Sequence, residues 1–98
     1  MSELIITAKV TAKKESRHSL KSELLKLIAP TRKEEGCLDY ALHQDNDDPA
    51  LFIFHERWES FAHFEKHRNS DHFKAYIRAT DGLIEEKVVN MSSRIEEA

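Results

Sequence analysis

The 98-residue chain has one cysteine, two glycines, two prolines and one tryptophan, and each scarcity removes a class of explanation. A single thiol, Cys37, cannot close an internal disulfide, so burial and hydrogen bonding must hold the fold. A lone cysteine in an apolar setting reads as a small buried hydrophobe, because thiolate chemistry needs a cationic or helix-start environment. With glycine only at positions 36 and 82 there is no glycine-rich phosphate loop, and no nucleophile-elbow motif presents a serine. The chain shows no charged-then-apolar leader and no long apolar run, which predicts a cytoplasmic protein without a membrane partner. Basic excess is also missing: 15 Lys and Arg are interleaved with 18 Asp and Glu, for a net charge of −3. No phosphate-neutralising stripe forms, so no nucleic-acid partner is expected.

What is present fits one domain over residues 1–98, near the lower end of what folds alone; a chain this short buries only about two-thirds of its unfolded surface. Apolar residues make up 40% and charged residues 34%, above the usual quarter, which points to solvated helices and to help from a second copy of the chain.

Leu4 to Ala12 alternates Leu4, Ile6, Ala8, Val10 and Ala12 against Ile5, Thr7, Lys9 and Thr11, the period of a half-buried strand. From Ser16 the period becomes helical, with Leu20, Leu24, Leu27 and Ile28 at i, i+4, i+7 and i+8. Pro30 should kink or loosen the last turns of this helix before it ends near Glu34, and Gly36 supplies the stop. Cys37 to Asp45 alternates again, with Leu38, Tyr40 and Leu42 on one face and Cys37, Asp39, Ala41 and His43 on the other. The turn cluster Asp45 to Pro49 leads into a strand over Leu51 to Trp58, whose one face holds Phe52, Phe54, Glu56 and Trp58. Ser60 and Ser70 are candidate N-caps of two short helices. The first would present Phe61, Phe64 and His67, and the second Phe73, Tyr76, Ile77 and Thr80. Gly82 closes the second, and Ile84 to Ile95 reads as a last strand.

Strand, helix, strand, strand, helix, strand in under a hundred residues suggests an α+β, ferredoxin-like βαββαβ fold. Its four-stranded antiparallel sheet carries both helical layers on one face. The other face, with Ile5, Leu51 and Ile53 or their neighbours of opposite parity, would be left to water. Pairing two such sheets in a homodimer is the simplest remedy.

The segments EEGCLDY from Glu34, FIFHERWES from Phe52 and HRNSDHF from His67 together resemble the antibiotic-biosynthesis monooxygenase (ABM) family. These are dimeric α/β-barrel proteins that include small bacterial quinol monooxygenases, and the likeness covers nearly the whole chain. The resemblance implies a ferredoxin-like protomer, a barrel-forming homodimer and, in several members, oxidation of a quinol or polyphenol by O2 with neither flavin nor metal. The family also holds haem-degrading enzymes and an isomerase of a phosphorylated dione. The haem-degrading branch fits poorly, since the first strand offers Thr7 and Ala8 where that branch carries an Asn. The isomerase branch shares a histidine at the position of His67, and Arg57 and Arg68 could meet a phosphate.

Chemically, a cofactor-independent monooxygenase needs a base and a dry aromatic slot, because the deprotonated substrate is itself the electron donor to O2. His67 beside Phe64 and Phe73 is the candidate base. Tyr40, Phe54, Glu56, Trp58, Phe73 and Tyr76 are the candidate contacts for a small aromatic substrate, with Glu56 either orienting His67 or holding a substrate hydroxyl. The competing readings are structural: His67 as a satisfied core histidine, Glu56 as a capping or pairing group, and Trp58 with the phenylalanines as core. His63 and His67 have the i, i+4 spacing of metal ligands and His72 lies near, yet no carboxylate at ligand spacing completes a site, so no metal is expected. Besides the monooxygenase, two alternatives remain open, an acid/base enzyme such as the isomerase and a non-catalytic ligand-binding or stress-response dimer.

Overall fold

The computed structural model describes residues 3–96. Four antiparallel strands, β1 (Leu4–Ala12), β2 (Cys37–Gln44), β3 (Leu51–Trp58) and β4 (Ile84–Ser92), form one sheet in the spatial order β2-β3-β1-β4. The helical connections α1 (Arg17–Lys26), α2 (Ile28–Arg32), α3 (Phe61–Arg68) and α4 (Asp71–Ala79) complete a ferredoxin-like arrangement in which each helical layer is split in two.

Register decides which residues meet. Ile6 faces Glu56 on one side and Met91 on the other, Ala8 faces Phe54 and Val89, and Val10 faces Phe52 and Lys87. Because side chains alternate along a strand, these residues share one face of the sheet with Trp58, Tyr40 and Leu42. Leu20, Leu24 and Leu27 close the core over them, all fully buried as their spacing predicts. The opposite face carries Ile5, Thr7, Leu51, Ile53 and Val88, each left partly open.

Three details differ from the sequence pattern. First, the helix after β1 breaks at Leu27 rather than running to Glu34. Pro30 has no N–H for the carbonyl of Lys26 and its ring crowds that carbonyl, so α1 ends at Lys26 and α2 restarts with Pro30 in its first turn, where no donor is required. Second, the pairing of β2 with β3 slips between Cys37 and Asp39. Leu38 is the extra residue of this bulge and is 42% exposed, while Cys37 packs against the core. Third, β4 ends at Ser92, so Ile95 lies beyond the strand, fully exposed.

Both serine caps form. Ser60 Oγ accepts from His63 N and Ser70 Oγ from Phe73 N, each at 3.3 Å. Phe61, the first residue of α3, is 49% exposed instead of lining the core, and Ile77 of α4 is likewise exposed. Ahead of β2, Gly36 turns the chain with φ +84°, and a Cβ there would run into the imidazole of His63. Gly82 has a similar φ of +83° but open space around it. The pair separates two costs. Gly82→Ala should lower stability by ~1 kcal/mol, the left-handed backbone term alone. Gly36→Ala should lose more than ~2 kcal/mol, of which His63→Ala in the same chain restores part. Urea unfolding midpoints of the three variants check this.

Candidate active site

Between the sheet and the α3–α4 layer lies a cavity of about 290 Å³. Its walls are mostly apolar, from Ile6, Val10, Phe54, Phe64, Phe73 and Met91, with Tyr40, Glu56, His67, Tyr76, Arg68 and Lys87 as the polar members. Of the residues singled out from sequence, His67, Tyr40, Phe54, Glu56, Phe73 and Tyr76 all line it. Trp58 does not. It is fully buried behind the cavity, its indole ring 4.9 Å from the His67 ring.

His67 stands at the centre of an aromatic cage. Its ring lies 5.0 Å from Phe73, 5.7 Å from Tyr40 and 6.1 Å from Phe64, and only 1% of the residue is exposed. The Phe64-to-His67 spacing of three turns both toward the sheet, which is why α3 delivers the imidazole inward. Nδ1 donates to Glu34 Oε2 at 2.7 Å, and His72 Nε2 lies 2.7 Å from the same oxygen. A carboxylate oxygen accepts, so it fixes His67 as the Nδ1–H tautomer and leaves Nε2 as the nitrogen with a lone pair on a residue that lines the cavity. Burial lowers the pKa of His67, and the Glu34 carboxylate opposes that shift only in part. The imidazole is therefore neutral at neutral pH and able to accept a proton.

Glu56 does not orient His67, one of the roles the sequence leaves open to it: Glu34 takes that place, and Glu56 accepts from Trp58 Nε1 at 2.9 Å. Glu56 is 4% exposed, and burial pushes its carboxyl up to about 7 against the opposing indole hydrogen bond. Half of it is thus protonated near neutrality, giving the cavity an acid as well as a base. Burial also raises the Tyr40 phenol, and it takes that of Tyr76 up to about 12, with the Glu56 charge as the second cause in each. Both remain hydroxyl donors. Cys37 is pushed up to about 11 by burial and then by Glu34, so it is a thiol rather than a nucleophilic thiolate.

Glu34 is the residue that sequence reasoning missed. It lies 33 positions from His67, in the turn between α2 and β2, and only the Gly36 turn brings it back over α3. It also supplies the carboxylate that the histidines lack in sequence: Glu34, His67 and His72 offer three ligand atoms within 4.8 Å of one another. These three could hold a divalent cation, although both nitrogens stand at hydrogen-bond distance from one shared oxygen and are satisfied by it. His63 is not part of this group. Its Nδ1 meets Ser60 Oγ at 2.8 Å, away from the cavity. Arg57 belongs to the opposite face, where a larger and more open hollow of about 850 Å³ is lined by Ile5 and His55, and it pairs with Glu3 at 2.9 Å. Only Arg68 of the two arginines reaches the cavity.

The family model described as antibiotic biosynthesis monooxygenase matches residues 4–79, and the chain belongs to that family. A Mycobacterium tuberculosis protein named "Putative monooxygenase Rv0793" is 31% identical over 98 residues, covering 99% of this chain and 96% of that one. The Escherichia coli protein named "Probable quinol monooxygenase YgiN" is 33% identical over 87 residues, 81% of this chain and 80% of its own. Among solved structures, PA3566 from Pseudomonas aeruginosa superposes with a TM-score of 0.94 at 35% identity, over 98% of this chain and 97% of that one.

Glu56 provides a test of the site's electrostatics that needs no substrate. An acid whose folded pKa of about 7 lies above its ordinary 4.5 costs nothing below pH 4.5; the cost grows as pH rises and is complete above about 7. At ~1.4 kcal/mol per unit this amounts to at most about 3–4 kcal/mol. Glu56→Gln keeps an acceptor for Trp58 and removes the charge, so its melting temperature should exceed wild type by at least ~4 °C at pH 8 and match it near pH 5. Equal melting curves at pH 8 would show that Glu56 ionises without cost.

Proposed function

We propose that the chain is a monooxygenase that oxidises a small phenolic or quinol substrate with O2 and requires no resident cofactor. The observation that carries this reading is His67: a buried, neutral imidazole that lines an aromatic-walled cavity, with Nδ1 tied to Glu34 so that Nε2 is the nitrogen left with a free lone pair. Nε2 takes the proton from a substrate hydroxyl, and Glu34 stabilises the imidazolium that results. The phenolate is electron-rich and passes an electron to O2. Recombination at a ring carbon then places one oxygen on the substrate, and the other leaves as water. All four electrons come from the substrate, two by oxidation of quinol to quinone and two from the ring C–H. No external reductant is needed. Tyr40, Tyr76 and protonated Glu56 are hydrogen-bond donors for the substrate's second oxygen, and Phe54 and Phe73 flank the ring. Two relatives, one named "Putative monooxygenase" and one "Probable quinol monooxygenase", support the same class.

A second reading rests on a specific observation, the pairing of a neutral base with an acid near 7 in one cavity. That pair also suits proton transfer alpha to a carbonyl, as in an isomerase. The two reactions differ in oxygen use. An oxygen electrode with a panel of reduced benzoquinones and naphthoquinones should record uptake with wild type and a loss of at least ~100-fold with His67→Gln. Solvent deuterium entering the substrate without oxygen uptake would favour the isomerase instead.

Activity should also fall only below the ordinary histidine range of about 6.5, because the base is the neutral form and its pKa is lowered. The groups facing His67 are Glu34, which raises its pKa, and His72 and Arg68, which lower it. Glu34→Gln should therefore move the acid limb of kcat/KM to still lower pH while reducing kcat. An acid limb that moved upward would refute the assigned role of Glu34.

The working unit in this reading is a homodimer. Ile5, Leu51, Ile53 and Val88 on the helix-free face are partly open. A second copy laid on that face would remove this surface from water. Light scattering coupled to gel filtration should give twice the 11.4 kDa chain mass, and a monomer at micromolar concentration would exclude this assembly.

A further inference from the structure

We propose that Lys87 is the counter-charge for an anionic substrate oxygen, so that the cavity binds the phenolate form of its ligand in preference to the neutral phenol. The inference rests on the reading of the cavity as a phenol site and adds a residue that reading does not use.

Lys87 lies on β4 opposite Val10, on the cavity side of the sheet, and lines the cavity itself. Its ammonium stands 5.2 Å from the ring centroid of Tyr76 and 5.7 Å from that of Phe73, over faces that hold a cation without neutralising it. No carboxylate among the described residues comes within ion-pair distance of it. The other cation at the cavity, Arg68, is committed: it pairs with Glu65 and covers the Phe64 ring at 4.9 Å. Glu56 on β3 is the one carboxylate in the lining; with burial raising its carboxyl to about 7, it is held as the neutral acid below neutral pH and is a partial counter-charge for Lys87 above it. The remaining titratable groups that face the cavity are the phenols of Tyr40 on β2 and Tyr76 on α4, and His67 on α3, neutral at pH 7. Below neutral pH the cavity therefore presents a cation with no ion-paired anion. Burial lowers the pKa of Lys87, the mark of an ammonium that has lost part of its water, and the Glu56 charge opposes that shift only in part.

The chemistry of the site supplies the missing charge. When His67 takes the substrate proton, the negative charge left on oxygen needs stabilisation, and His67 becomes positive on the side held by Glu34. A preorganised ammonium on the sheet side would lower the cost of forming that phenolate and hold it against Tyr76 and Phe73. The same feature gives specificity: phenols that ionise readily, including those made acidic by electron-withdrawing substituents, should bind best.

The probe is 4-nitrocatechol, whose phenolate is coloured. Titrated with pH in the presence of saturating protein, its ionisation should move to lower pH on wild type, corresponding to about tenfold tighter binding of phenolate than of phenol. Lys87→Arg should keep most of that shift. Lys87→Met, which preserves the stem over the aromatic rings, should abolish it while leaving the neutral ligand bound and the melting temperature near wild type. An equal shift in Lys87→Met and wild type would overturn the proposal and leave the phenol site standing. Failure of wild type to bind the probe at all would overturn the phenol-site reading and this inference with it.

Discussion

A single carboxylate oxygen ties the functional half of this molecule together. Glu34 Oε2 lies 2.7 Å from His67 on α3 and 2.7 Å from His72 on α4, so one atom joins the turn before β2 to both helices of the second layer. Charge-assisted hydrogen bonds of this length contribute more than neutral ones, and these are largely shielded from water. Their placement depends in turn on features that are not chemical. Gly36 accepts a positive φ two residues later, with His63 packed where any side chain would project, and its carbonyl accepts from Glu59 N at 2.8 Å. Ser70 starts α4 so that His72 falls in the first turn, and its hydroxyl donates to His67 O at 2.6 Å. Loss of the shared oxygen would leave a buried imidazole without its Nδ1 partner and with no preference between tautomers.

A second constraint works against stability. Glu56 occupies a position on β3 where alternation demands an apolar residue, between Phe54 and Trp58 on the buried face. One hydrogen bond from an indole does not replace the water a carboxylate loses. A protein selected only for stability would carry an apolar residue here, which is the physical argument for treating Glu56 as functional. The cost is limited because the group keeps its proton below neutral pH, and in the proposed reading that same proton serves a substrate oxygen.

The strand and helix pattern was legible because local periodicity and tertiary packing agree. Leu20, Leu24 and Leu27, the alternation of β1 and the aromatic face of β3 are buried as their spacing requires. The inward turn of His67 followed from its place three residues after Phe64. What could not be read was anything fixed by register or by long-range approach. The bulge that expels Leu38 is a property of the β2–β3 pairing, not of the sequence CLDY. Glu34 looked like an ordinary helix-end residue because its partners lie 33 and 38 positions away. Trp58 was expected among the ligand contacts, since its parity matches Phe54 and Glu56. It meets the His67 ring edge of the core instead, because the cavity lies toward β1 and β4 and away from the end of β3.

That displacement toward β4 has a consequence for chemistry. The base is delivered by the helices and the acid and the ammonium by the sheet, so a ligand between them meets opposite demands on its two sides. Proton removal at His67 is favoured where Glu34 stands behind it, and the negative charge that follows is favoured where Lys87 and the protonated Glu56 stand. A ligand with two oxygens across a ring can satisfy both at once, one at each side, whereas a ligand with a single oxygen must choose. Family membership alone does not select among reactions, because one fold hosts many sites. In the proposed reading it is the division of charge between layers that selects, toward flat, doubly oxygenated rings rather than aliphatic or singly substituted ligands in a cavity of about 290 Å³.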